Sequence, residues 1–148
     1  MNVLVVEDSA EKSKLIETIL RSQFAGRIDF AQTISGAYSQ LEHHKWDLVI
    51  LDMTFQVSQG LGQAVRKEPL AGLEILQFMT SKELLYPVIV ATQHSVFSQV
   101  GIIHLSSVEE LHSLLLETFP EIYRETIRVD LTTTDWHAAL LDAAKRVS

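Results

Sequence analysis

The stretch that decides the fold is "DLVILDMTF", which runs from Asp47 to Phe55. Apolar residues fill Leu48–Leu51, and the carboxylate of Asp52 follows directly. A short, continuous apolar run is typical of a β-strand buried on both faces of a parallel sheet. Because a charge is costly to bury, Asp52 raises the question of what lies at the ends of the other strands.

The rest of the chain alternates between strand-like and helix-like segments. Four further segments are strand-like: Val3–Val6, Arg27–Thr33, Tyr86–Thr92 and Glu125–Thr133. Helical spacing of apolar residues is found in Ser9–Phe24, Ser35–Lys45, Gly72–Leu85, Ser107–Phe119 and Thr134–Val147. The first serine of three of these segments is the expected N-cap: Ser9, Ser35 and Ser107. Five strands alternating with five helices predict an α/β, flavodoxin-like (βα)5 three-layer sandwich with a five-stranded parallel sheet.

Two long segments interrupt this alternation, and both are predicted to be insertion loops. The first, Gln56–Ala71, contains two glycines and a proline, which favour a loop. The second, Gln93–Leu105, contains a short strand-like run at Ile102–Leu105. An alternative places the fifth strand at Gly101–Leu105, but this would remove the helix between strands four and five. The assignment at Glu125–Thr133 is preferred because it leaves no long C-terminal segment unexplained.

Composition narrows the class of protein. A chain of 148 residues, 47% hydrophobic, suits a single domain over residues 1–148. It has no cysteine, which excludes disulfides and thiolate zinc sites. A net charge of −7 argues against direct nucleic-acid binding. No apolar run approaches the roughly 20 residues that span a bilayer, and no signal peptide is visible. We therefore expect a cytoplasmic protein that does not bind a membrane.

Polar residues end three of the predicted strands. Glu7 and Asp8 end the first strand, Asp52 ends the third and Thr92 ends the fourth. Ligands bind beyond the carboxyl ends of the strands in open parallel sheets, and strands one and three are neighbours in a flavodoxin-like order. Three converging carboxylates repel one another unless a cation or a proton is present, and Mg²⁺ prefers oxygen ligands. Alternatively, such acids cap helices or stay solvated.

These motifs resemble the receiver domain of two-component response regulators. "VLVVEDS" resembles its first strand with the acidic pair, and "WDLVILDM" resembles its third strand with the phosphoacceptor aspartate. "YPVIVAT" resembles its fourth strand, which ends in a hydroxyl residue, and "GLEIL" resembles the start of its third helix. The motifs cover residues 1 to about 93, and beyond them only the βα pattern carries the resemblance.

The resemblance implies a role for each matching residue. Asp52 would accept a phosphoryl group from a partner histidine kinase or phosphotransfer protein, and Thr92 would contact that group. Asp8, Asp52 and the backbone carbonyl of Thr54 would bind Mg²⁺, with Glu7 binding through water. The domain would switch a downstream partner protein and would be no enzyme beyond its own phosphorylation and dephosphorylation. Homodimer formation stays open.

The chain also departs from the family. The family's lysine at the end of strand five is missing, and Thr132 or Thr133 is expected at its position. A hydroxyl can donate a hydrogen bond there but supplies no positive charge. The switch aromatic before that lysine is replaced by Val129 or Asp130. Two basic residues of the first insertion could replace the lost charge, or could simply be solvated: Arg66 and Lys67.

Three classes of function therefore compete. The first is a phosphate-accepting receiver, which the acidic residues favour. The second is a pseudo-receiver that binds proteins independently of phosphorylation, which the lost lysine and aromatic favour. The third, a metal-dependent hydrolase, has the carboxylates but no nucleophile-and-base pair beyond Asp52, and it ranks last.

Overall fold

The computed structural model describes residues 1–58, 65–68, 70–93, 97–99 and 103–148. In chain order its strands are β1 (Val3–Val6), β2 (Ile28–Ala31), β3 (Leu48–Leu51), β4 (Phe55–Ser58), β5 (Val65–Glu68), β6 (Val88–Thr92), β7 (Phe97–Gln99), β8 (Ile103–Leu105) and β9 (Tyr123–Arg128). Its helices are α1 (Ala10–Arg21), α2 (Ile34–His43), α3 (Gly72–Ser81), α4 (Val108–Thr118) and α5 (Asp135–Val147). In this described part of the chain, no helix has the length and apolar character needed to cross a bilayer.

Five strands form one parallel sheet in the order β2-β1-β3-β6-β9. Leu51 of β3 lies opposite Val6 of β1 on one side and opposite Val90 of β6 on the other. The predicted flavodoxin-like (βα)5 fold is therefore confirmed. This register brings the carboxyl ends of β1, β3 and β6 to the same edge of the sheet, which is where the sequence places its polar residues.

The alternation of side chains along each strand creates a core on both faces of the sheet. Leu4 and Val6 of β1 pack on the face that α2, α3 and α4 cover. Val3 and Val5 pack on the opposite face, under α1 and α5. All four side chains are at most 1% exposed, and burial of each contributes roughly 1.5–3 kcal/mol. The continuous apolar runs of the central strands follow from this two-sided burial.

The two insertions are not the plain loops that the sequence predicts. β4 and β5 pair antiparallel, with Phe55 opposite Glu68. β7 and β8 form a second antiparallel pair, with Phe97 opposite Leu105. The prediction of a loop over Gln56–Ala71 does not hold for Gln56–Ser58 and Val65–Glu68, because these two segments pair with each other through their backbones. The glycines and the proline that suggested a loop, Gly60, Gly62 and Pro69, lie outside the described residues.

Two further sequence assignments need correction. The fifth strand of the sheet is Tyr123–Arg128, and one more backbone bond joins Val129 N–H to the Thr92 carbonyl. The strand therefore ends before Thr132, and the alternative strand near Leu105 pairs with β7 rather than with this sheet. Thr33, not Ser35, caps α2, because the Thr33 side chain accepts the Gly36 N–H at 2.9 Å.

Candidate functional site

Three carboxylates meet at the carboxyl edge of the sheet. Glu7 and Asp8 follow β1 and Asp52 follows β3, and the Asp52 N–H donates to the Val6 carbonyl at 3.0 Å. One oxygen from each carboxylate lies within 4.8 Å of the others. Glu7 and Asp52 are 2% and 6% exposed, and Asp8 is half-buried. The structure thus assembles the acidic cluster that the strand ends predicted, and it places the cluster largely out of water.

Thr54 and the start of α3 hold the Asp52 side of this cluster. Thr54 N–H donates to Asp52 Oδ1 at 3.3 Å, and the Gly72 N–H donates to the Met53 carbonyl at 2.9 Å. A Cβ atom on Gly72 would lie only 2.8 Å from the Asp52 carbonyl oxygen. A Cβ atom would clash at this distance, so a glycine is required where α3 begins. The close approach of the two backbones fixes the loop after β3 and the direction of Asp52.

Thr92 lies at the end of β6, the strand next to β3. Its side chain is fully buried, and its carbonyl accepts the Val129 N–H at 2.8 Å. The sheet order places Thr92 at the same edge as Asp52, as predicted. Its contact with a phosphoryl group stays a prediction.

A residue that sequence reasoning missed lies in the middle of the cluster. The Lys12 side chain, from the first turn of α1, is 0% exposed. Its Nζ lies 2.8 Å from Glu7 Oε2 and 3.5 Å from Asp52 Oδ2, and it donates to the Ala91 carbonyl at 2.8 Å. Lys12 precedes the buried Ile16 by four residues, so it lies on the apolar stripe of α1. A lysine on that stripe, next to an acidic strand end, is an unusual pattern, but the pattern alone does not indicate the contacts with Glu7 and Asp52.

The turn from β1 into α1 fixes Lys12 against Glu7. Ser9 is the N-cap, as predicted, and its side chain accepts the Lys12 N–H at 3.3 Å. The Ser9 N–H in turn donates to Glu7 Oε1 at 3.0 Å. Both oxygens of Glu7 therefore have a positive or donor partner, one from the cap and one from the lysine.

The electrostatics of the cluster favour additional positive charge. Burial raises the pKa of Glu7 to about 8, and the negative charge of Asp52 adds to this increase. The Lys12 ammonium opposes both effects but does not cancel them. One ammonium faces three carboxyl groups, and the raised pKa of Glu7 shows that the cluster resists a further negative charge. Its all-oxygen donor set fits a hard divalent cation such as Mg²⁺.

Comparisons with known proteins agree with this fold. The response regulator domain of Thermotoga maritima CheB has a TM-score of 0.67 at 20% identity, with 99% of this chain and 95% of that chain covered. A response regulator from Hahella chejuensis has a TM-score of 0.64 at 19% identity, covering 99% and 93%. The chain has the receiver-domain fold.

One relative of this chain is itself named a response regulatory protein. The Detocs response regulatory protein DtcB of Enterobacter cloacae (strain JD6301) is 24% identical over 147 residues, covering 95% of this chain and 96% of that protein. No protein-family model matches the chain. The response regulator TrrA of Thermotoga maritima was solved in complex with Mg²⁺ and BeF; it has a TM-score of 0.63 at 21% identity, with 99% and 98% covered.

The structure differs from the receiver family's pattern after β9, the fifth strand of the sheet. Thr132 and Thr133 were expected near the lysine position, but both belong to a turn built on Asp130. Thr132 donates from N–H and Oγ1 to Asp130 Oδ1 at 2.9 and 2.6 Å, and the Thr133 N–H donates to the Asp130 carbonyl at 3.1 Å. Val129 is buried in the apolar cluster under α5. None of these residues supplies a cation.

The other expected source of positive charge belongs to the first insertion. Arg66 and Lys67 lie in β5, but their side chains lie outside the described part of the structure. Among the described residues, Lys12 is the basic side chain that contacts Glu7 and Asp52.

Proposed function

We propose that this chain is a phosphate-accepting receiver domain whose acceptor is Asp52. The observation that carries the proposal is the convergence of Glu7, Asp8 and Asp52 at one sheet edge, within 4.8 Å of one another. Asp52 is held by Thr54 N–H and lies 3.5 Å from the Lys12 ammonium. A buried carboxylate with an N–H donor and an ammonium beside it suits a nucleophile that attacks a highly charged phosphoryl group.

The proposed reaction is an in-line phosphoryl transfer. One Asp52 carboxylate oxygen forms a bond to phosphorus while the P–N bond of a partner's phosphohistidine breaks. The electron pair of that bond stays on the imidazole, which takes up a proton from water, and an aspartyl phosphate results. Positioning and charge stabilisation supply most of the catalysis in such transfers.

The acidic residues would hold the metal ion for this reaction. Asp8, Asp52 and the Thr54 carbonyl would bind Mg²⁺ directly, and Glu7 would bind it through water. When bound, Mg²⁺ would neutralise charge on the transferring phosphoryl group. Thr92, buried at the end of β6, would donate its hydroxyl to a phosphoryl oxygen.

The biological setting follows from the same proposal. The phosphodonor would be a histidine kinase or a phosphotransfer protein in the cytoplasm, and the phosphorylated domain would switch a downstream partner protein. The chain would act as a signalling module whose chemistry is limited to its own phosphorylation and dephosphorylation.

Intact mass spectrometry tests the proposal. The wild type, incubated with Mg²⁺ and acetyl phosphate, is expected to gain the mass of one phosphoryl group, with acetate as the leaving group. Asp52→Asn removes the nucleophile but keeps the shape, and it is expected to gain none. Asp47→Asn, at the exposed amino end of β3, is the matched control and is expected to behave as the wild type. Equal mass gain in the Asp52 variant would exclude Asp52 as the acceptor.

The alternative function is a pseudo-receiver that binds its partner without phosphorylation. The observation that favours it is the lack of a lysine directly after β9: the strand's last residue, Arg128, is exposed, Val129 is buried and Thr132 bonds to Asp130. A wild type that gains no phosphoryl mass, yet remains folded and binds Mg²⁺, would favour this alternative.

A further inference from the structure

Lys12 places a buried positive charge directly beside the carboxylate that would be phosphorylated. Its side chain is completely shielded from water. A buried ammonium is costly unless its donors are paired, and here the ends of three strands provide the partners. Glu7 follows β1, Asp52 follows β3 and Ala91 belongs to β6. The ammonium is therefore fixed in the cluster from three directions.

The contacts of Lys12 are unequal, and the weakest is the one to Asp52. An ammonium group has three N–H donors. Glu7 Oε2 and the Ala91 carbonyl each lie 2.8 Å from Nζ, whereas Asp52 Oδ2 lies 3.5 Å away. The last distance exceeds the usual range of an N–H···O hydrogen bond. A phosphoryl oxygen added to Asp52 would offer a closer acceptor on that side of the ammonium.

We propose that Lys12 is the residue that contacts the phosphoryl oxygens, in place of the lysine that the receiver family carries on its fifth strand. The inference rests on the proposed function and names a further residue of that site. The Ala91 contact anchors Nζ one residue before Thr92. The ammonium and the threonine hydroxyl would therefore act on the same phosphoryl group from the same strand end.

The other described basic residues near this edge do not fill that role. Arg128 lies opposite Thr92 in the β6–β9 register, but its side chain is exposed. Arg124 lies away from this edge, near the amino end of β9, and its guanidinium donates to the Glu121 and Tyr123 carbonyls. Lys14 lies on α1 but on its exposed face.

A purely structural lysine would behave differently on removal. If Lys12 only neutralised Glu7 and Asp52, a neutral residue would leave the cluster more negative, and Mg²⁺ would bind more tightly without loss of phosphorylation. If Lys12 contacts the phosphoryl group, phosphorylation slows even when Mg²⁺ is saturating, because a charge-assisted hydrogen bond to the transferring group is lost. At saturating Mg²⁺ the first role therefore predicts an unchanged phosphorylation rate, and the second predicts a slower one.

The test compares phosphorylation rates of Lys12→Gln, Lys12→Arg, Lys14→Gln and the wild type. Each protein is incubated with acetyl phosphate at a Mg²⁺ concentration that saturates it, as established by calorimetry, and circular dichroism checks its folding. Loss of one charged hydrogen bond corresponds to a roughly ten- to hundredfold slower rate for Lys12→Gln. Lys12→Arg is expected to recover part of the rate, and Lys14→Gln is expected to match the wild type.

The outcomes separate this inference from the proposed function. A wild type that accepts phosphate while Lys12→Gln accepts it equally fast would overturn the role of Lys12 and leave Asp52 as the acceptor. A wild type that accepts no phosphate would overturn both. A Lys12→Gln rate that is slow only below saturation with Mg²⁺, and equals the wild-type rate at saturation, would assign Lys12 to metal binding and contradict the inference.

A measurement on the unmutated protein covers the case in which Lys12→Gln does not fold. Lysine labelled at Nζ with ¹⁵N gives one ammonium resonance for each lysine that is shielded from exchange, and Lys12 is completely buried. Addition of Mg²⁺ and beryllium fluoride, which mimics the phosphoryl group, is expected to shift that resonance. Saturation with the mimic without any shift would overturn the contact.

Discussion

At the scale of single residues, the strand ends could be predicted from sequence and Lys12 could not. Glu7, Asp8 and Asp52 each follow an apolar run, and parallel strands bring such positions to one edge. Lys12 looks like an ordinary charged residue of a helical first turn. Its burial depends on how α1 packs against the ends of β1, β3 and β6, which is a tertiary contact that local patterns do not encode.

The half-buried Asp8 is expected to be required for metal binding. Asp8→Ala removes one of the three clustered carboxylates, and we expect it to abolish Mg²⁺ binding measured by titration calorimetry. Asp142→Ala, which removes an exposed carboxylate of α5, is the control for the loss of one negative charge. Unchanged affinity in the Asp8 variant would show that the metal binds elsewhere.

At the scale of elements, helices and central strands could be predicted, whereas boundaries and insertions could not. The apolar runs of β1, β3 and β6 reflect two-sided burial. β9 is buried only at Tyr123 and Ile127, so its sequence does not mark where pairing ends, and the predicted strand ran past Arg128. The β4–β5 segment was predicted as a loop because of the two glycines and the proline in its sequence, whereas β8 falls within the strand-like run predicted at Ile102–Leu105.

The end of α3 stores backbone strain that one substitution should relieve. Glu83 has a φ of 56°, in the left-handed region that favours glycine. It lies where glycine usually ends a helix, because the Leu84 N–H donates to the Met79 carbonyl at 2.8 Å and the Glu83 N–H donates to the Thr80 carbonyl at 3.2 Å. Glu83→Gly is expected to raise the free energy of unfolding by roughly 0.5–1 kcal/mol.

Urea denaturation measures this change, and a second variant at the same position is its control. Glu83→Ala removes the same side chain but keeps the Cβ atom, so it retains the cost of the positive φ. It is expected to be no more stable than the wild type. Equal stabilisation by alanine and glycine would mean that the glutamate side chain, rather than the backbone conformation, was unfavourable.

The helix that carries Lys12 is expected to respond to phosphorylation. If Lys12 moves closer to a phosphoryl group on Asp52, hydrogen exchange with the Mg²⁺ and beryllium fluoride mimic should slow in the first turns of α1, at residues 10–16. The segments around the two insertions, 56–71 and 93–105, should also change. Strong protection confined to Thr126–Trp136 would instead show that the family's usual relay through the fifth strand survives.

At the scale of the whole molecule, stability should fall at alkaline pH because of one buried tyrosine. Tyr123 is 1% exposed, and its hydroxyl bonds to Thr126 Oγ1 at 2.6 Å and to His112 Nδ1 at 2.7 Å. Burial raises the pKa of Tyr123 from 10 to about 12. The folded state thus favours the neutral phenol, so its contribution is fully present below pH 10 and is lost as pH rises through about 12.

The expected loss is on the order of 2–3 kcal/mol across that interval. It can be measured as the pH dependence of the free energy of unfolding in urea. Tyr123→Phe should lower stability at neutral pH, where the hydroxyl's bonds are lost, but should flatten the alkaline decline. A smaller decline should remain because burial also raises the pKa of Tyr38. An equally steep decline in the Phe variant would assign the effect to other groups.

The most direct test of the molecule's role is to locate the phosphoryl group chemically. The wild type, treated with Mg²⁺ and acetyl phosphate, is reduced with borohydride, which converts an aspartyl phosphate into homoserine with release of phosphate. Peptide mass spectrometry then identifies the converted residue. We expect homoserine at position 52 alone. Conversion at Asp8 or another carboxylate with Asp52 intact, or no conversion in a folded, Mg²⁺-binding protein, would contradict the assignment of Asp52 as the acceptor.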